Sequence, residues 1–148
     1  MKSRLAFAAL LSGILFAPPA AAEPPAVFVS MLYSNYKDMD HWAKNYDPCD
    51  KYCEADVAKL LKAAHRKNMI DYDPVCQCQH GGENYMMFAG SRGATDDDYR
   101  VTMKKVGKPG TWLLILRWAD GGWKIRDVLE TRSGKQVSLR QRLASATT

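Results

Sequence analysis

The sequence contains no C-x-x-C pair, no G-x-S-x-G elbow, no glycine-rich phosphate loop after a strand, and no EF-hand spacing among its acidic residues. Each absence removes a class. The first excludes thioredoxin-like redox chemistry, the second a serine-hydrolase nucleophile, the third nucleotide binding of the P-loop or dinucleotide type, and the fourth EF-hand calcium. Asp96, Asp97 and Asp98 therefore read as a solvated loop. Histidine is scarce, at three residues, and His41 and His65 stand in polar surroundings with no evident partner. No internal repeat or low-complexity segment is present, and the apolar run 5–16 is shorter than the ~20 residues a membrane-spanning helix needs.

That run has another meaning. Lys2 and Arg4 precede it and Ala20-Ala21-Ala22 follows it, so residues 1–22 have the basic, apolar and small-residue regions of a secretory signal peptide. No cysteine stands at the cleavage site, which argues against a lipid anchor. The expectation is a periplasmic or secreted chain, 23–148, with no membrane insertion after cleavage. Lys2 and Arg4 leave with the signal, and the formal charge falls from +5 to +3. Arg132, Lys135, Arg140 and Arg142 against Glu130 account for that whole excess, so the body is near neutral and carries a basic C-terminal tail. A nucleic-acid partner is not expected, because it would call for basic residues on a body face interleaved with aromatics.

Residues 111–129 form the clearest structural signal. Two alternating runs meet at Asp120-Gly121-Gly122, whose glycines permit the positive φ of a tight hairpin turn. Trp112, Leu114, Leu116 and Trp118 share one face of the first run, and Leu113, Ile115 and Arg117 the other. This strand reads as central and covered. In the second run Trp123, Ile125 and Asp127 are expected on one face, with Lys124 and Arg126 opposite. Upstream, Phe28, Leu32 and Tyr36 recur every four residues, flanked by Val29 and Tyr33, which predicts a helix after Pro24-Pro25. Residues 53–66 predict a second helix, with Cys53, Val57, Leu60, Leu61 and Ala64 on one side. Strands are expected over 84–89 and 99–106, with a polar, irregular connection over 37–50. The order implies one α+β domain, 23–148, with N-terminal helices packed on a curved antiparallel meander that ends in the 111–129 hairpin.

An even number of cysteines in an oxidising compartment reads first as disulfides. Of the three pairings, those joining Cys49 and Cys53 to Cys76 and Cys78 are favoured here, since a local Cys76–Cys78 bridge closes a very small ring. The four cysteines and His80, followed by Met86 and Met87, are also ligand types that suit copper(I) or zinc, although the spacing is not that of a zinc module. No motif calls for a resident cofactor. Asp73, His80, Tyr85 and Asp127 are the candidate pocket residues, with Asp71 beside them. Asp127 stands out because a carboxylate facing the core needs a partner or acquires a perturbed pKa. Its plainer reading is a strand-end residue satisfied by a hydroxyl, an arginine or backbone N–H groups; Asp71 and Asp73 likewise suit turns. Trp42, Tyr46 and Tyr52 lie in or beside the irregular connection as candidate interface aromatics.

Leu32-Tyr33 with Tyr36, the Leu60-Leu61 pair, Asp71-x-Asp73-Pro74 followed by Cys76 and Gln79, Trp123-x-Ile125-x-Asp127-Val128 and Ser138-Leu139-Arg140 together resemble a family of exported bacterial proteins classed as a domain of unknown function. The resemblance covers nearly all of 23–148 and implies a cone-shaped α+β fold similar to nuclear transport factor 2. Where that family often carries an acidic residue after the glutamine, this chain has His80. The resemblance implies no reaction, because such folds host isomerases, dehydratases and binding modules alike. With no nucleophile, base and stabiliser to assemble, the sequence points to a non-catalytic envelope protein. It would bind a small ligand or mask a protein partner, as an inhibitor or immunity protein does. The alternatives are a pocket enzyme of isomerase or dehydratase type and a copper or zinc protein.

Overall fold

The computed structural model describes residues 23–37, 48–78, 85–93 and 98–147. The expected signal peptide, Trp42, Tyr46 and His80 lie outside these residues. Pro24 and Pro25 open the first helix, α1 (Pro25–Lys37), with the Pro24 carbonyl accepting from the Val27 N–H at 2.9 Å. Phe28, Val29, Leu32, Tyr33 and Tyr36 form its buried stripe, as their spacing predicts. A short helix α2 (Pro48–Tyr52) follows, and Cys53 then leaves helical geometry to bridge Ile125 in parallel. The next helix, α3 (Ala55–Arg66), thus begins two residues later than its pattern suggested. It ends in a Schellman motif: Asn68 takes φ 53°, the Asn68 N–H donates to the His65 carbonyl, and the Met69 N–H to that of Ala64.

Among the described residues five antiparallel strands follow in meander order: β1 (Tyr85–Arg92), β2 (Asp98–Lys105), β3 (Thr111–Ala119), β4 (Gly122–Arg132) and β5 (Lys135–Ser138). β3 is central. Asp120 (φ 53°) and Gly121 (φ 77°) form the two-residue turn, while Gly122 already pairs with Ala119. Positive φ at both central residues matches the right-handed twist of the flanking strands. Trp112, Leu114 and Leu116 are buried with Val101, Met103, Ile125 and Val128 on the helix side of the sheet. On the other side Leu113 and Ile115 are only half-buried, so β3 is covered on one face rather than two.

A β-bulge changes the second half of β4. Ile115 pairs with Asp127 and Leu116 with Ile125, which leaves Arg126 as the extra residue. Beyond it the alternation is inverted. Asp127 joins Ile115 on the half-exposed face, whereas Val128 and Glu130 turn toward the core opposite Leu114 and Trp112. The segment expected as a basic tail is also folded, into the end of β4, β5 and the helix α4 (Leu139–Thr147). Ser138-x-x-Gln141 is a capping-box sequence, and the Ser138 hydroxyl accepts from the Gln141 N–H at 3.1 Å. Leu139 and Leu143, one turn apart, are buried where α4 packs on α3 and β4. Helices therefore flank the sheet in sequence from both ends.

Two disulfides are present, but within each cysteine cluster: Cys49–Cys53 and Cys76–Cys78, with Cα separations of 4.7 and 5.2 Å. The expected cross-links between clusters do not form because the clusters sit at different ends of β4. Cys53 is paired with Ile125, while the loop carrying Cys76 and Cys78 lies against Trp112 and Glu130. Five positions along a strand separate those points by roughly 15 Å, beyond disulfide reach. Both bridges fit an oxidising compartment. Among the described residues no helix is long and apolar enough to cross a membrane.

Candidate functional site

The densest polar site is built on a loop that folds around its own carbonyls. Asp73 and Cys78 exchange backbone hydrogen bonds of 2.8 and 3.3 Å, and between them Pro74 to Gln77 make a turn. The Asp73 carboxylate accepts from the Val75 N–H at 2.7 Å through Oδ1 and from the Tyr36 hydroxyl at 2.9 Å through Oδ2. The Val75 carbonyl in turn accepts from the Tyr33 hydroxyl at 2.6 Å and from the Trp112 indole at 3.0 Å. One carbonyl thus joins α1, the loop and the central strand. Burial pushes the Tyr33 phenol well above its ordinary value, so it remains a neutral donor. Gln77, in the left-handed region at φ 52°, points its amide to the Pro74 carbonyl at 2.7 Å and to Glu130 at 3.2 Å.

Glu130 is the centre of the site. It is the one buried charged residue among those described, and four donors converge on it. Oε1 accepts from the Tyr72 hydroxyl and from Gln77; Oε2 accepts from Arg132 Nε at 3.0 Å and Arg142 Nη2 at 3.2 Å. The Tyr72 hydroxyl also accepts from Arg132 and Arg142, each at 3.0 Å. Burial acts to raise the Glu130 carboxyl. The bonds from Tyr72 and Gln77 and the charges of Arg142 and Arg132 outweigh it and hold the group below its ordinary value. Burial, then the bond to Glu130, pushes the Tyr72 phenol above its own.

This node forms the floor of an open cleft of about 700 Å³ at one end of the sheet. Its walls come from the disulfide loop (Tyr72, Gln77), the β2–β3 turn (Lys105, Lys108, Pro109) and the end of β4 (Arg132). Gly107 and Gly110, at φ 74° and 91°, let that turn close tightly. A second groove, of about 230 Å³, lies between α1 and the β1–β2 hairpin and is lined by Tyr33, Tyr85 and Met103 among others.

The residues singled out from sequence do not gather here. Asp73 organises the loop beneath the cleft without lining it. Tyr85 packs against Tyr33 with ring centroids 4.8 Å apart and borders the smaller groove. Asp127 was expected to share a face with Ile125, but the bulge at Arg126 puts it elsewhere. There its carboxylate accepts from Ser138 Oγ at 2.5 Å, from the Val128 N–H at 2.8 Å and from the Arg140 N–H at 3.0 Å, capping α4. Asp98, expected in a solvated loop, opens β2 and pairs with Arg126 through both oxygens at 2.9 Å. Tyr52, expected at an interface, is buried. The next residue, Cys53, bridges Ile125 of the sheet, and here the Tyr52 ring meets Phe28 edge-on at 5.9 Å while its hydroxyl accepts from Asn35. Among the described residues no three His, Cys, Asp or Glu side chains gather as metal ligands.

Tyr72, Gln77, Glu130 and Arg132 were missed. Glu130 had one sequence signal, its two-residue spacing from Val128, but counting from Ile125 across the bulge hid it. Comparison with protein-family models, with curated proteins and with solved structures returns no match, so fold and cleft rest on this chain's own chemistry.

Proposed function

We propose that this chain, exported by residues 1–22, is a non-catalytic binding protein of the periplasm or extracellular space whose cleft over Glu130 holds a small ligand. The observation that carries this reading is the cleft itself. Its volume of about 700 Å³ suits a small-molecule site, and its polar groups converge from three separate segments. The same groups argue against acid–base catalysis. A general acid or base works best with a pKa near the operating pH, whereas Glu130 is held low and Tyr72 high. Helices over one face of an antiparallel meander, with a cleft at one end, support grouping the fold with the cone-shaped proteins similar to nuclear transport factor 2. The partner-masking reading loses the support of Tyr52, now in the core.

Native mass spectrometry of the oxidised protein recovered from an envelope extract tests the proposal, with Thr111→Trp as the variant that fills the cleft. A retained small molecule that the variant fails to hold, while its circular dichroism is unchanged, is the expected result. Equal retention by the variant removes the cleft from the proposal. Turnover of a substrate by the purified protein overturns the non-catalytic reading.

A further inference from the structure

On the basis of that reading, we infer that the cleft selects a ligand carrying an oxyanion, a carboxylate or a phosphate, placed against Arg132 and Lys108 beside a flat apolar portion. A carboxylate offers about four acceptor positions, and Glu130 already receives Tyr72, Gln77, Arg132 and Arg142. The Tyr72 hydroxyl donates once and accepts twice. An incoming cation therefore finds the carboxylate at the floor saturated, with Lys105, Lys108 and Arg132 around it.

Donors, by contrast, are in surplus. Arg132 spends Nε on Glu130 and Nη2 on Tyr72, and its side chain is 48% exposed, which leaves the Nη1 edge for a ligand. Lys108 stands exposed on the β2–β3 turn, and among the described residues no acceptor meets its ammonium group. The Thr111 hydroxyl on the cleft wall is a further donor. Glu130 thus serves as a positioning residue: it clamps Arg132 in place and leaves the lining with a positive excess. Tyr72 and Pro109, beside the buried Trp112, supply the apolar surface on which the rest of such a ligand lies.

The test titrates the oxidised, isotope-labelled mature protein with matched probes and follows the Trp112 indole and Gly110 amide resonances. Phenyl phosphate and phenylacetate are the anions, 2-phenylethanol the neutral member and phenethylamine the cation. Both anions are expected to bind about tenfold more tightly than the neutral probe, and less tightly as salt rises. Tighter binding of phenyl phosphate assigns the site to phosphates, and the reverse to carboxylates. Lys108→Glu, remote from the core, is expected to abolish the preference with the fold intact; an unchanged preference in that variant overturns the inference. If the neutral or cationic probe binds as well as the anions, the oxyanion inference is wrong and the binding reading stands. If no probe moves either resonance, both fall.

Discussion

Two carboxylates on β4, three positions apart, are put to opposite uses by one extra residue. Glu130 faces the core and ties strand, loop and α4 together, and Asp127 faces away and caps α4. Because the folded protein holds the Glu130 carboxyl below the usual 4.5, it binds that proton less readily than the unfolded chain does. The resulting stability is fully present above pH ~4.5 and is lost as pH falls through the lower folded value. Urea midpoints measured across that acid window should drop for the wild type and stay flatter for Glu130→Gln. At neutral pH the same variant should lose about 1–3 kcal/mol, since the Arg132 and Arg142 guanidinium groups lose their charged acceptor. Asp127→Ala should cost about 1 kcal/mol, the worth of a helix cap. If it costs nothing, the capping role is wrong.

The elements differ in how openly the chain announced them. The β3–β4 hairpin could be read directly, because period-two alternation and Asp120-Gly121 specify strand and turn together. Gly121→Val should therefore destabilise the hairpin by about 1 kcal/mol or more, as a β-branched residue is forced to φ 77°, and thermal melts are the measure. α1 was equally open, its apolar residues recurring with the helical period. The bulge at Arg126 was not, since an inserted strand residue leaves no mark in composition, and it shifted every facing assignment beyond it. α4 was hidden by its charges: Arg140 and Arg142 suggested a solvated tail, although Ser138-x-x-Gln141 and the Leu139/Leu143 pair signalled a helix. Connectivity of the cysteines depends on where β4 puts each cluster, which no spacing reveals. Peptide mapping without reduction should find Cys76 and Cys78 within one tryptic peptide, lighter by two hydrogens than its reduced form. A peptide joining either of them to Cys49 or Cys53 would refute the pairing described here. Replacing Cys76 and Cys78 by serine should remove about 1.5 kcal/mol on the chain-entropy model, with hydrogen-exchange protection lost around Asp73 and Cys78 and kept in β2–β4.

For the whole molecule, the site was harder to foresee than the fold. Fold class follows from local periodicities, but Tyr72, Lys105 and Glu130 meet only when the loop, the β2–β3 turn and β4 are assembled. That dispersal has a thermodynamic consequence. No short stretch of the chain carries all three walls, so the denatured ensemble lacks the cleft and a cleft ligand binds the native state alone. Occupancy and foldedness then become linked quantities: free ligand at a hundred times its Kd adds about 2.7 kcal/mol to the unfolding free energy. The transition temperature should climb with the logarithm of the concentration of any such ligand, turning the protein's own melting curve into an assay for occupancy of the cleft.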